Sequence, residues 1–144
     1  MIRKFKKGDE EGIALLEKEC FSSPWSSEAI GNSAKEGIIF LVYEKEGKIL
    51  GYIGLQRVLD EGYITNIAVN SLYRRCGIGK ELLLAIDEIG KELKLSFISL
   101  EVRQSNLSAI SLYEKIGYKN EGVRRNFYKS PTENAIIMTK RRTV

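Results

Sequence analysis

The chain has 144 residues, 43% of them apolar and 29% charged, with a formal net charge of +4. That length suits one domain, expected over residues 1–144, with a sizeable buried core. Histidine is absent, which excludes His-based triads, His general bases and most zinc or iron sites. No metal is expected, and proton chemistry falls to Glu, Asp, Tyr, Cys, Lys or water. The two cysteines, Cys20 and Cys76, form no CxxC and suggest no disulfide framework, which fits a reduced, cytoplasmic setting. No apolar run approaches the roughly 18 residues that suggest a membrane span. The basic start, Met1 to Lys7, is not followed by an apolar stretch, so no signal peptide is expected.

In chain order, residues 2–6 read as a strand. Asp9 can cap a helix with Ile13, Leu16 and Cys20 on one face. Phe21-Ser22-Ser23-Pro24-Trp25 follows, and Ser26 or Ser27 can cap a second, short helix. Residues 38–44 and 49–58 read as strands joined by a turn at Lys45-Glu46-Gly47-Lys48. Residues 63–69 form a further strand. Leu82, Leu83, Ile86, Ile89 and Leu93 then set a strong helical period. Residues 97–102 are again a strand. Asn106 can cap a helix carrying Ala109, Leu112, Tyr113 and Ile116 on one face, and Gly117 is placed to end it. Two strands near 118–127 and 135–139 follow, and Lys140-Arg141-Arg142 reads as a solvated tail. The order β-α-α-β-β-β-α-β-α-β-β predicts an α/β fold: one mixed sheet of about seven strands with helices on both faces. Strands 63–69 and 97–102 should be parallel neighbours, and the hairpin and terminal strands antiparallel.

Between Val69 and the long helix stands Arg74-Arg75-Cys76-Gly77-Ile78-Gly79-Lys80. Two glycines one residue apart at a helix start free the backbone to curl. Its N–H groups can then converge on one anion, aided by the helix dipole. Arg74, Arg75 and Lys80 add positive charge, so the pattern suits a phosphate or pyrophosphate. A Rossmann fingerprint would need glycine at Leu82. A P-loop would need Ser or Thr at Glu81 and glycine at Arg74. A glycine turn that merely starts a helix is the plainer alternative.

The strand Asn66-Ile67-Ala68-Val69 followed by Arg74-x-x-Gly77-x-Gly79 resembles the acetyl-CoA motif of the GNAT acetyltransferase superfamily. Downstream, Asn106-x-x-Ala109-x-x-Leu112-Tyr113-x-x-x-Gly117-Tyr118 resembles its second motif. The resemblance implies a GNAT fold, in which a bulge splays strand 66–69 from strand 97–102. The pantetheine arm of acetyl-CoA enters that gap. Contacts to the cofactor then fall to Ile67, Ala68 and Val69, to the loop Arg74, Arg75, Cys76, Gly77, Ile78, Gly79 and Lys80, and to Asn106. A backbone N–H near Val69 would stabilise the oxyanion.

Three further segments are similar to one branch, the RimI-type alanine N-acetyltransferases of bacterial ribosomal protein. They are Phe21-x-x-Pro24-Trp25-Ser26, Leu100-Glu101-Val102-Arg103-x-Ser105-Asn106, and Arg124-Arg125-Asn126-Phe127-Tyr128 with Glu133-Asn134-Ala135-Ile136-Ile137-Met138. In that branch the glutamate matching Glu101 is the base and the tyrosine matching Tyr113 the acid. The implied acceptor is a protein N-terminus, the N-terminal alanine of a small-subunit ribosomal protein. No direct nucleic-acid or membrane partner is implied. Tyr63 stands where many relatives carry glutamate, and Asn134 where many carry aspartate. These departures touch the holding of the peptide, not acyl transfer.

Each residue also has a plainer reading. Glu101 alternates with Leu100 and Val102, so it faces away from them and could pair with Arg103. Tyr113 lies on an apolar stripe and fits a core. Asn106 can cap its helix and still face the cofactor. Cys76 is incidental, because direct transfer needs no thiol nucleophile. Phe21 and Trp25 fit the core and a substrate wall equally well. An α-amine titrates near 7.7–8.0, so at pH about 7.5 roughly a quarter to a third is neutral and a mild base suffices. The rival acceptor is a small amine or a lysine side chain. A basic ribosome- or RNA-binding module is the reading from another class, but no RNA-binding motif is apparent.

Overall fold

Near-continuous apolar runs in β2 (Ile39–Lys45) and β3 (Lys48–Val58), buried on both faces, pair antiparallel with each other, and β3 pairs antiparallel with β4 (Glu61–Val69). A short β1 (Ile2–Lys4) adds to β2. The computed structural model describes residues 1–142; Thr143 and Val144, the last two positions of the expected 1–144 domain, lie outside them. The other elements are α1 (Glu10–Cys20), α2 (Ser27–Lys35), α3 (Ile78–Glu92), β5 (Phe97–Arg103), α4 (Leu107–Lys115), β6 (Lys119–Tyr128) and β7 (Glu133–Arg141). The strands form one seven-stranded sheet in the order β1-β2-β3-β4-β5-β7-β6. Among the described residues only the β4–β5 pair is parallel, as the intervening helix requires.

Helices cover both faces. On one, Ile13 and Leu16 of α1 and Ile30 of α2 pack on Phe40, Val42, Tyr52 and Ala68. On the other, Ile78, Leu82, Leu83 and Ile86 of α3 pack on Leu41, Ile53, Leu55, Ile98, Leu100 and Val102. Tyr113 of α4 joins the second cluster. Leu82, Leu83 and Ile86 are completely buried, each worth about 1.5–3 kcal/mol of hydrophobic transfer.

One irregularity shapes the sheet. Ile53 pairs with Ile67 but Leu55 with Ile64, so Gly54 alone faces both Thr65 and Asn66. This is a bulge in β4. A side chain at Gly54 would collide with the Thr65 hydroxyl and the Phe40 ring, so only glycine fits there. The β4–β5 ladder covers Glu61 to Tyr63 against Phe97 to Ser99 and then stops, opening a gap.

Three expectations need correction. Asp9 sits at the start of α1 but its side chain does not cap the helix. Arg3 takes the carboxylate instead, through bonds of 2.8 and 3.0 Å, and the Lys6 N–H donates to it at 2.8 Å. A bidentate guanidinium outcompetes a neutral amide for a carboxylate. Lys140 and Arg141 are not a solvated tail. They belong to β7, where Lys140 pairs with Asp87 and Arg141 with Glu121. Glu101 does not pair with Arg103, as described below. Ser26 caps α2 and Asn106 caps α4, both through their side chains.

Candidate active site

The gap between β4 and β5 is flanked on one side by Ile67, Ala68 and Val69. Ile67 and Val69 lean on the α3 cluster, while Ala68 is buried towards α1. The chain then makes one 3-10 turn at Ser71–Tyr73 and reaches the loop before α3. Arg75 has φ 64° and Gly77 φ 82°, so two left-handed residues bracket Cys76 and curl the backbone. The amides of Ile78, Gly79 and Lys80 have no partner four residues earlier within α3. A Cβ placed on Gly77 would meet nothing within 4 Å, so the turn borders open space there. A Cβ built on Gly79 would stand 3.7 Å from Leu112 and 3.9 Å from Val69, so the loop lies beside α4 and the end of β4. Arg74, Arg75, Cys76 and Lys80 are exposed around the turn, and Ile78 is buried beneath it. The residues read from the sequence as a phosphate-binding turn therefore lie together at the mouth of the gap.

On the other flank, β5 sends Leu100 and Val102 into the α3 cluster and turns Glu101 to the opposite face. Glu101 Oε2 is buried and accepts no hydrogen bond among the described residues. Its nearest cation is Arg124, whose Nε lies 3.7 Å away. Arg103 turns elsewhere. It pairs with Glu133 at 3.2 Å and donates to the carbonyls of Pro131 and Lys129, both at 3.0 Å. Glu133 is committed as well, accepting the Ser105 N–H at 2.6 Å. That bond and Arg103 hold its carboxyl below the usual range.

Tyr113 is buried, and burial pushes its hydroxyl up to about 12. A tyrosine at that value stays protonated at neutral pH. Tyr128 also lies near this flank: its hydroxyl is raised to about 12, first by burial and then by the Glu101 charge. The Arg103 guanidinium covers the Tyr128 ring at 4.5 Å from its centroid. Sequence reasoning assigned Tyr128 no role. The only signal was its place at the end of Arg124-Arg125-Asn126-Phe127-Tyr128. Asn106 Oδ1 accepts from the Ala109 N–H at 3.2 Å and from Ser108 Oγ at 3.3 Å. Its amide nitrogen makes no hydrogen bond among the described residues, so capping leaves it a donor to spare.

A cavity of about 260 Å³ lined by Asp87, Lys91, Phe97 and Lys140 lies at the other end of α3, away from the Gly77 turn and from Glu101. Among the described residues no three His, Cys, Asp or Glu side chains converge as a metal site would. No helix there is long and apolar enough to cross a membrane.

A splayed parallel pair, a glycine turn opening a helix at its mouth and a carboxylate on its flank define an acyltransferase-type site. Residues 11–118 match the Acetyltransferase (GNAT) family. The chain belongs to this family, whose cosubstrate is acetyl-CoA. It is 36% identical over 141 residues, 96% of each chain, to ribosomal protein bS18-alanine N-acetyltransferase of Haemophilus influenzae. Its fold is similar to the crystal structure of ribosomal-protein-S18-alanine N-acetyltransferase from Escherichia coli, with a TM-score of 0.92 and 31% identity over 100% of this chain and 94% of that one. A GNAT family acetyltransferase from Elizabethkingia anophelis, solved with acetyl-CoA bound, shares the fold at a TM-score of 0.80 and 20% identity, covering 99% of this chain and 97% of that one.

Proposed function

We propose that the chain, working as one domain in the cytoplasm, transfers the acetyl group of acetyl-CoA to the N-terminal α-amine of a protein. The acceptor is the N-terminal alanine of a small-subunit ribosomal protein, by similarity to the relatives that carry that activity. One observation in the structure supports this reading above others. Glu101 stands on the flank of the β4–β5 gap with a carboxylate oxygen that accepts no hydrogen bond among the described residues and has only the loosely held Arg124 as an ion-pair partner.

The chain's own groups fit the cosubstrate. The open turn at Gly77 and the free amides of α3 suit a pyrophosphate, with Arg74, Arg75 and Lys80 as counter-charges. The unpaired edges of β4 and β5 offer hydrogen bonds to an amide-bearing arm. Bound there, acetyl-CoA supplies an activated thioester. Glu101 accepts the proton shed by the amine as the new C–N bond forms and the C–S bond breaks. Tyr113 donates a hydrogen bond to the leaving sulphur. Complete transfer from a hydroxyl near 12 to a thiolate near 8.5 would run uphill by about 5 kcal/mol. The tyrosine therefore stabilises the departing charge, and solvent completes the protonation.

The test is to offer acetyl-CoA with peptides bearing either a free α-amine or only a free lysine, alongside spermidine, and to weigh the products. Acetylation of the N-terminal alanine peptide above the others is expected. A preference for lysine or spermidine overturns the acceptor and leaves the family intact.

A further inference from the structure

The mechanism above makes no use of Glu17, although this carboxylate is buried to 1% exposure in α1. Burying a carboxylate is costly unless every lone pair is well used. Here three donors converge on it from three different elements. Oε1 accepts the backbone N–H of Trp25 at 2.9 Å. Oε2 accepts the Tyr52 hydroxyl at 2.6 Å and Asn66 Nδ2 at 3.0 Å. Trp25 lies in the segment between α1 and α2, Tyr52 on β3, and Asn66 in the bulge that parts β4 from β5.

The neighbouring residues of α1 extend the same brace. Glu19 accepts the Ser71 N–H at 2.5 Å, and Cys20 Sγ donates to the Val69 carbonyl at 3.5 Å. The end of α1 is thus fastened to the bulge, to the end of β4 and to the turn that leads into the Gly77 loop. Glu17 alone also reaches forward to residues 21–26. That segment covers the α1–α2 face of the sheet, the face to which Glu101 points, and it leaves Phe21 38% exposed and Pro24 exposed.

We infer that Glu17 is a positioning residue: its carboxylate registers the 21–26 segment, as one wall of the acceptor site, against the bulge that opens the acetyl-CoA gap. The wall assignment rests on the acceptor reading proposed above; the brace itself does not. A well-packed apolar residue would stabilise α1 at least as well. What the carboxylate adds is a fixed distance between two surfaces that must meet during transfer.

Glu17→Leu keeps most of the bulk and removes both acceptor oxygens, so none of the three donors is met. Two readouts decide. The first is hydrogen exchange at the Trp25 amide, which needs no catalysis. It should quicken at least tenfold in the variant while the β3 core amides of Ile53 and Leu55 hold their protection. The second is kinetic: KM for the peptide should rise at least fivefold, with kcat and acetyl-CoA affinity within twofold of wild type. Unchanged exchange at Trp25 overturns the brace. Faster exchange with an unchanged peptide KM overturns the acceptor wall. If the wild type acetylates no α-amine, the acceptor reading fails, and exchange still decides the brace. Should Glu17→Leu not fold, Glu17→Asp draws the carboxylate back by one methylene without losing its charge. Both effects are then expected in the same direction at threefold or more, and their absence overturns the inference.

Discussion

Arg124 stands 3.7 Å from Glu101, close enough to form an ion pair and too far for a hydrogen bond. Its side chain is 58% exposed, so it is held loosely, and a pair of this kind adds about 0–1 kcal/mol to stability. Its importance is positional. An α-ammonium arriving at Glu101 meets a like charge already there and has to displace it. Arg124→Ala should therefore lower KM for the peptide severalfold and leave the thermal midpoint within a degree or two. A raised KM would show that Arg124 holds the acceptor instead.

Glu101→Gln keeps the shape and removes the base. Turnover should fall by about 10²–10⁴-fold if proton removal limits the rate. The residual rate should still rise with pH through the α-amine's own value near 8. Stopped-flow or discontinuous assays across pH 6–9 on an N-terminal alanine peptide give the profile. A variant equal to wild type at neutral pH would make Glu101 a structural carboxylate.

Tyr113→Phe preserves the ring in the α3-side core and deletes only the hydroxyl. The loss of one hydrogen bond to a departing anion should cost about 1.5–3 kcal/mol, roughly tenfold to a hundredfold in turnover. Acetyl-CoA affinity by calorimetry should be close to normal. Equal turnover in the two proteins would assign the sulphur's partner to another group or to water.

Gly77 has φ 82° and open space where a Cβ would stand. Gly77→Val therefore costs backbone strain of about 1–3 kcal/mol and puts a branched side chain into that open space. Acetyl-CoA affinity should fall at least tenfold, about 1.4 kcal/mol. Unchanged affinity in a folded variant would remove the turn from the binding site.

Asp9 gives a pH prediction with a definite sign. Its hydrogen bonds with Arg3, more than any other influence, hold its carboxyl below the usual range in the folded chain. The pair's contribution is present above the unfolded value of about 3.9 and is lost as pH falls through the lower folded one. Asp9→Asn should be less stable than wild type at pH 7 by about 2 kcal/mol, and the difference should shrink below about pH 4. Urea midpoints at pH 7 and pH 3 measure both. A difference that stays constant with pH would assign the loss to packing.

Local patterns carried most of the fold. Periodicity in Leu82, Leu83 and Ile86 marked α3, and the Ser26, Asn106 and Gly117 signals marked helix ends, because each depends on residues within one or two turns. Non-local choices were not legible. Asp9 fits a helix cap by position, yet Arg3 on a different element claims it. Arg103 looked like the partner of Glu101 two residues away, but neighbours at that spacing on a strand share a face without having to touch, and Glu133 across the sheet wins. Nothing in the order of elements places β7 between β5 and β6. A bulge in strand 66–69 was expected from resemblance; its place at Thr65 and Asn66, opposite Gly54, becomes visible only once the register is known.

The position of β7 bears on how the molecule is made. Strand β5, which carries Glu101, has three paired positions with β4 but seven with β7. During synthesis β5 emerges well before β7, so most of its backbone partners follow only after the intervening α4 and β6. Until then the strand has an open edge able to pair with foreign strands. The nascent chain can assemble β1 to β4 with α1 and α2 beforehand, since those contacts are sequential. Acetyl transfer thus awaits the last strand, and the interval before it joins is when the chain is most exposed to misassembly.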